Sequence, residues 1–108
     1  MIVDDEPLAC RLLSSYVERT DSLTLAGSFT SASRGLEAIN SVVPDIAFLD
    51  IQMPEMSGIE LAGRITAAGT RVVFTTAYPD FALEGFRVNA LHYLLKPISY
   101  SEFLEAVG

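Results

Sequence analysis

A chain of 108 residues, half of them hydrophobic, has room for one domain whose core takes roughly two thirds of the unfolded surface out of water, and excludes a second. Seven basic against fourteen acidic residues give a net charge of −7, which sets the domain against a nucleic-acid backbone, so any DNA contact belongs to another domain. No apolar run approaches the roughly 18 residues of a membrane span and no charged leader precedes one, so we expect no membrane contact and a cytoplasmic location.

Met1, Ile2 and Val3 run straight into Asp4, Asp5 and Glu6 and read as the end of a first strand, short enough that the amino terminus looks clipped. Pro7 suits the first turn of a helix on which Leu8, Leu12, Leu13 and Tyr16 recur at helical spacing and which stops near Thr20 and Asp21. Cys10, the single cysteine, lies on that helix, has no internal disulfide partner and reads as a small core residue. Residues 23–29 suit a second strand, after which Thr30 or Ser31 can cap a helix carrying Leu36, Ile39 and Val43, closed by Pro44.

A third strand over 45–50 is an apolar run ending abruptly in Asp50, the way a buried parallel strand delivers a reactive group to its carboxyl edge. In the loop that follows, Pro54 fixes φ and Gly58 permits a backbone conformation other residues resist. The next helix carries Ile59, Leu61, Ala62 and Ile65, with Gly69 as its C-cap. Residues 71–75 read as a fourth strand, 76–79 as a loop, and 81–88 as a short helix that Gly85 weakens, which makes it the most mobile one. A fifth strand over 91–95 is broken by Pro97, and Ser101 opens a last helix with Phe103, Leu104 and Val107 inward, within which the chain ends at Gly108.

Five strands alternating with five helices require an α/β, doubly wound parallel sheet with helices on both faces, because each crossover is right-handed. In such sheets ligands bind outside the carboxyl ends of the strands, where the strand order reverses. The fold therefore brings strand-end residues together as candidates for chemistry.

The stretch Phe48-Leu49-Asp50-Ile51-Gln52-Met53-Pro54-Glu55-Met56-Ser57-Gly58 resembles the phosphorylation loop of the receiver domains of two-component response regulators, with its Asp, two residues, Met-Pro and later Gly. Three further blocks fall in that family's order: Val3-Asp4-Asp5-Glu6, Phe74-Thr75-Thr76-Ala77 and Tyr93-Leu94-Leu95-Lys96-Pro97, so the likeness spans nearly the whole chain, and residues 1–108 are expected to be one receiver domain. The resemblance to these CheY-like domains implies a flavodoxin-like five-stranded sheet of order 2-1-3-4-5. It places Asp4, Asp5 and Asp50 at the switch point, joined by Thr76 and Lys96.

Three neighbouring carboxylates repel one another unless a cation sits among them, and Mg²⁺, which takes one or two carboxylates plus waters and phosphoryl oxygens, suits this cluster better than calcium does. The resemblance implies Asp5, Asp50 and the main-chain carbonyl of Gln52 as direct ligands, with Asp4 acting through water. Capping of the first helix is the competing role for Asp4 and Asp5. The resemblance further implies Asp50 as nucleophile, forming an aspartyl phosphate, with Lys96 as opposing point charge and the Thr76 hydroxyl as donor. The Lys96–Pro97 peptide is expected to be cis, since Lys96 must turn back into the site. Hydrogen bonds from Thr76 and Lys96 offer roughly 3 to 6 kcal/mol against the ~5.5 needed to invert a 1:99 equilibrium, so the switch should be substantial. In the family an aromatic at the position of Tyr93 swings inward as the hydroxyl moves.

The implied partners are a sensor histidine kinase and a carboxyl-terminal output domain absent from this chain, DNA-binding if the closer likeness of residues 74–98 to LytTR-type regulators holds; His92 departs from the acid usual there. The 81–88 helix, fifth strand and last helix form the expected output face and the surface of a phosphorylation-dependent homodimer. The chain would be a self-phosphorylating and autodephosphorylating switch rather than a turnover enzyme. A haloacid-dehalogenase-type phosphatase would need an Asp where Gln52 stands, and a flavodoxin-like FMN carrier would want a Ser/Thr/Gly-rich loop where Asp4, Asp5 and Glu6 stand. A phosphorylation-independent pseudo-receiver is the remaining alternative.

Overall fold

A computed structural model gives the structure and describes residues 1–66, 68–78 and 92–108. The expected 81–88 helix, its mobility, Pro79 and Leu91 lie outside the described residues. The described elements are β1 (Ile2–Val3), α1 (Pro7–Glu18), β2 (Ser28–Phe29), α2 (Ala32–Val42), β3 (Ile46–Asp50), α3 (Gly58–Gly63), β4 (Arg71–Thr76), β5 (His92–Leu95) and α4 (Tyr100–Val107). All four strand pairings are parallel and the order is β2-β1-β3-β4-β5, so the chain's direction across the sheet reverses between β1 and β3.

Because side chains alternate along a strand, each strand serves two cores. Ile2, Phe48, Val73 and Leu94 pack with Leu13 and Tyr16 of α1 and Phe103 of α4. Val3, Ala47, Leu49 and Phe74 pack with Ile39 of α2 and Leu61 of α3. Every residue of β3 is buried, as expected of a central strand covered by helices on both faces. Gly35 brings α2 close to β1: a Cβ there would lie 2.7 Å from Val3 Cγ1.

The elements depart from the sequence reading in five places. On α1 the buried residues are Cys10, Leu13, Tyr16 and Val17, while Leu8 and Leu12 are exposed; the apolar stripe is turned by the Tyr16 hydroxyl, which donates to Ile98 O at 2.7 Å. β2 is only Ser28–Phe29, as short as the β1 it pairs with, although Leu23 and Leu25 still pack on the core. Val43 is exposed and left-handed (φ 55°), because the following Pro44 disfavours helical geometry there. α3 stops at Gly63, since Asn40 of α2 captures the chain beyond it, accepting from Thr66 N–H at 2.9 Å; Gly69 (φ 97°) serves a separate turn. α4 is opened by Ser99, not Ser101, through a capping box with Glu102, and buries Phe103 and Ala106 while Leu104 stays exposed.

Candidate functional site

Four strand ends meet at the carboxyl edge of the sheet. Asp4 follows β1, Asp50 ends β3, Thr76 ends β4, and Lys96 follows β5. Asp4, Asp50 and Thr76 are each 1–2% exposed. Asp4 is fixed by its backbone, whose N–H donates to Phe29 O at 3.0 Å, and by its Oδ1, which accepts from Glu6 N–H at 2.9 Å. That contact reaches the N-cap residue Glu6 rather than the first turn of α1, and Glu6 itself makes no side-chain cap bond.

One carboxylate oxygen from each of Asp4, Asp5 and Asp50 lies within 4.8 Å of the others. Lys96 Nζ stands over them, 2.9 Å from Asp4 Oδ2, 3.2 Å from Glu6 Oε1 and 3.5 Å from Asp50 Oδ1. Burial, then the Asp4 charge, pushes the Asp50 carboxyl up to about 7, with Lys96 pulling the other way. Burial alone would lower the Lys96 ammonium, yet Asp4, Asp50 and Glu6 together hold it above its ordinary value. The cation is thus firmly charged while the central acid is poised between its two forms.

The donor set fits a hard divalent cation: three converging carboxylates carry more charge than Lys96 neutralises, and a cation there would relieve the repulsion that raises Asp50. Asp5 also borders an open pocket whose other walls are Ile51, Gln52, Met53, Pro54 and Ser57.

The Thr76 hydroxyl accepts from Tyr78 N–H at 3.0 Å and has as acceptors Gln52 Oε1 at 3.2 Å and Tyr78 O at 3.4 Å. Its described partners are therefore loop groups rather than Asp50. Tyr93 sits on the α2/α3 side of the sheet, its ring 5.1 Å from that of Phe74. The Lys96–Pro97 peptide is cis.

Gly58 proves necessary for a reason other than conformational freedom. The left-handed glycine among the described residues is Gly69; at Gly58 a Cβ would collide with the Asp50 carbonyl, lying 2.9 Å from its carbon. The loop folds back so tightly that Gly58 N–H donates to Ile51 O at 2.9 Å. Sequence reasoning also passed over Glu6 as a Lys96 partner, and over Glu55, which reaches Ser31 and Ser33. Glu6 stood within a quoted motif; nothing local marks Glu55, whose partners are 22 and 24 residues away.

A doubly wound parallel sheet whose switch point gathers three aspartates, a lysine and a strand-end threonine is the arrangement expected of a receiver domain. The response regulator receiver domain family matches residues 1–108, and the chain belongs to it. It is similar to an uncharacterized response regulatory protein of Vibrio vulnificus, 42% identical over 99 residues (91% of this chain, 41% of that protein). It is also similar to the transcriptional regulatory protein BtsR of Escherichia coli K12, 39% identical over 99 residues (91% and 41%). Among solved structures it resembles the Thermotoga maritima response regulator TrrA in complex with Mg²⁺ and BeF, with TM-score 0.85, 28% identity, and 98% of this chain and 92% of that one covered. The chain spans about two fifths of the length of these curated relatives.

Proposed function

We propose that this receiver domain is switched by phosphorylation of Asp50 by a sensor histidine kinase. The carrying observation is the placement of Asp50, 2% exposed, within reach of Asp4, Asp5 and Lys96 at the sheet's switch point. Asp5, Asp50 and the Gln52 carbonyl would hold Mg²⁺, with Asp4 acting through water. Mg²⁺ bound there supplies neutralisation of the charge on the transferred phosphoryl oxygens. The ionised Asp50 carboxylate attacks phosphorus, the bond to the donor's leaving group breaks with its electron pair, and Lys96 holds the opposing negative oxygen. Thr76 then exchanges its loop partners for a phosphoryl oxygen, and Tyr93 follows into the space it vacates.

The likeness to the transcriptional regulatory protein BtsR supports a role in transcription; the resemblance of residues 74–98 to LytTR-type regulators supports a DNA-binding output domain of that type, and activation would work through homodimerisation. The assignment is tested by mapping the adduct formed with acetyl phosphate or beryllofluoride and Mg²⁺. One adduct, on Asp50, is expected; modification persisting in Asp50→Asn overturns the assignment.

A further inference from the structure

Glu55 lies in the middle of the loop that carries Asp50 and Gln52, yet its side chain is spent elsewhere. Its Oε1 accepts from Ser31 Oγ at 2.9 Å, with Ser33 N–H 3.5 Å away, and its Oε2 accepts from Ser33 Oγ at 2.8 Å. Ser31 is the N-cap of α2 and Ser33 lies in its first turn, where α2 has no acidic residue of its own. Glu55 thus supplies from another segment the anion that an amino-terminal helix end favours. These hydroxyls hold its carboxyl below the ordinary carboxylate range, so the contact persists at neutral pH.

The contact closes a ring around the acid cluster. From Glu55 it passes to Ser31, two residues beyond Phe29, whose carbonyl accepts from Asp4 N–H at 3.0 Å. In the other direction, Glu55 is three residues from Gln52 and five from Asp50 along the loop. Asp5 and the Gln52 loop line one open pocket, so Glu55 ties that loop, through Ser31 and β2, to β1, which Asp4 and Asp5 follow. Repulsion among the three carboxylates, only partly offset by Lys96, would push the loop and the end of β1 apart, and the Glu55 contact opposes that push.

Resting on the Mg²⁺ reading above, we infer that Glu55, clasped by Ser31 and Ser33, is a positioning residue that sets the span between Asp5 and the Asp50–Gln52 loop and thereby pre-forms the cation site. Glu55 itself is exposed, and exposed contacts are individually weak, so the effect is modest.

The test is Mg²⁺ affinity, measured by calorimetry without any phosphoryl analogue, for the parent, Glu55→Ala, Ser33→Ala and the double variant. Ser33 is chosen because Ser31 also caps α2. Glu55→Ala should weaken Mg²⁺ binding about three- to tenfold, Ser33→Ala, which leaves the Ser31 bond in place, by less, and the double variant should lose no more than Glu55→Ala, because removing Glu55 already removes the whole clasp. Glu55→Gln, which keeps an oxygen acceptor, should recover part of the loss. Metal-free hydrogen exchange at Ile51 and Gly58 should quicken in Glu55→Ala, while amides of β3 and β4 remain as protected as in the parent. A parent that binds Mg²⁺ and variants within twofold of it, or losses that simply multiply in the double variant, overturn the clasp alone. A parent that binds no Mg²⁺ overturns the cation reading and the clasp with it.

Discussion

At Asp50 a single carboxyl is asked to sit beside two others, and the consequence is measurable without any phosphoryl donor. Its folded value of about 7 stands above the ordinary 3.8, so between those limits the folded protein holds a proton that the unfolded chain releases. The stability this confers is fully present below pH ~4 and is lost as pH rises through ~7, a contribution on the order of 2–4 kcal/mol. Asp50→Asn should therefore be more stable than the parent at pH 7.5 in a chelator, and the gap should close by pH 4.5; thermal melts at the two pH values check this, and a gap independent of pH contradicts it. Asp5→Ala, likewise relieved of repulsion, should melt no lower than the parent without metal yet take no Mg²⁺-dependent label from acetyl phosphate. Labelling at the parental rate would show that Asp5 is not a metal ligand.

Between strand and helix, the loop of residues 51–57 depends on the absence of a side chain at Gly58. Gly58→Ala must push against the backbone of Asp50, which has no flexible end to yield, so a loss of about 1–3 kcal/mol in urea unfolding is expected. An unchanged midpoint would mean that the loop relaxes freely. This position illustrates what was legible beforehand. That a glycine is needed could be read from the motif, but its collision partner is a carbonyl eight residues earlier, which only the folded loop brings close. Asp4 and Asp50 were legible because each is the residue at which an apolar run stops, and parallel strands stop on one edge, whereas Asp5, Thr76 and Lys96 were set beside them by the family resemblance. Periodicity misplaced Leu8 and Leu12 because an i, i+4 pair looks the same on either side of a helix until Tyr16 fixes its rotation. The end of α3 was misjudged because Asn40, which takes the chain away, belongs to another helix.

Over the whole molecule, the proposed switch must turn a change at one sheet edge into a change of association. Sedimentation with and without beryllofluoride and Mg²⁺ should show a monomer becoming a weak dimer; an activated protein that stays monomeric at high concentration excludes homodimerisation of this domain as the output. The seam between α1 and α4 bears on a different property. Tyr16 reaches Ile98 O across 82 residues, Tyr100 Oη donates to Arg19 O at 3.0 Å across 81, and the Tyr16, Tyr100 and Phe103 rings lie 5.3–6.2 Å apart. Helix α1 is thus buttressed by α4, some 80 residues further along the chain. On a ribosome it must wait for those residues to emerge before that buttress exists, so this domain cannot close until α4 is out, and the nascent chain meanwhile presents the apolar flank of α1 to the chaperones around it.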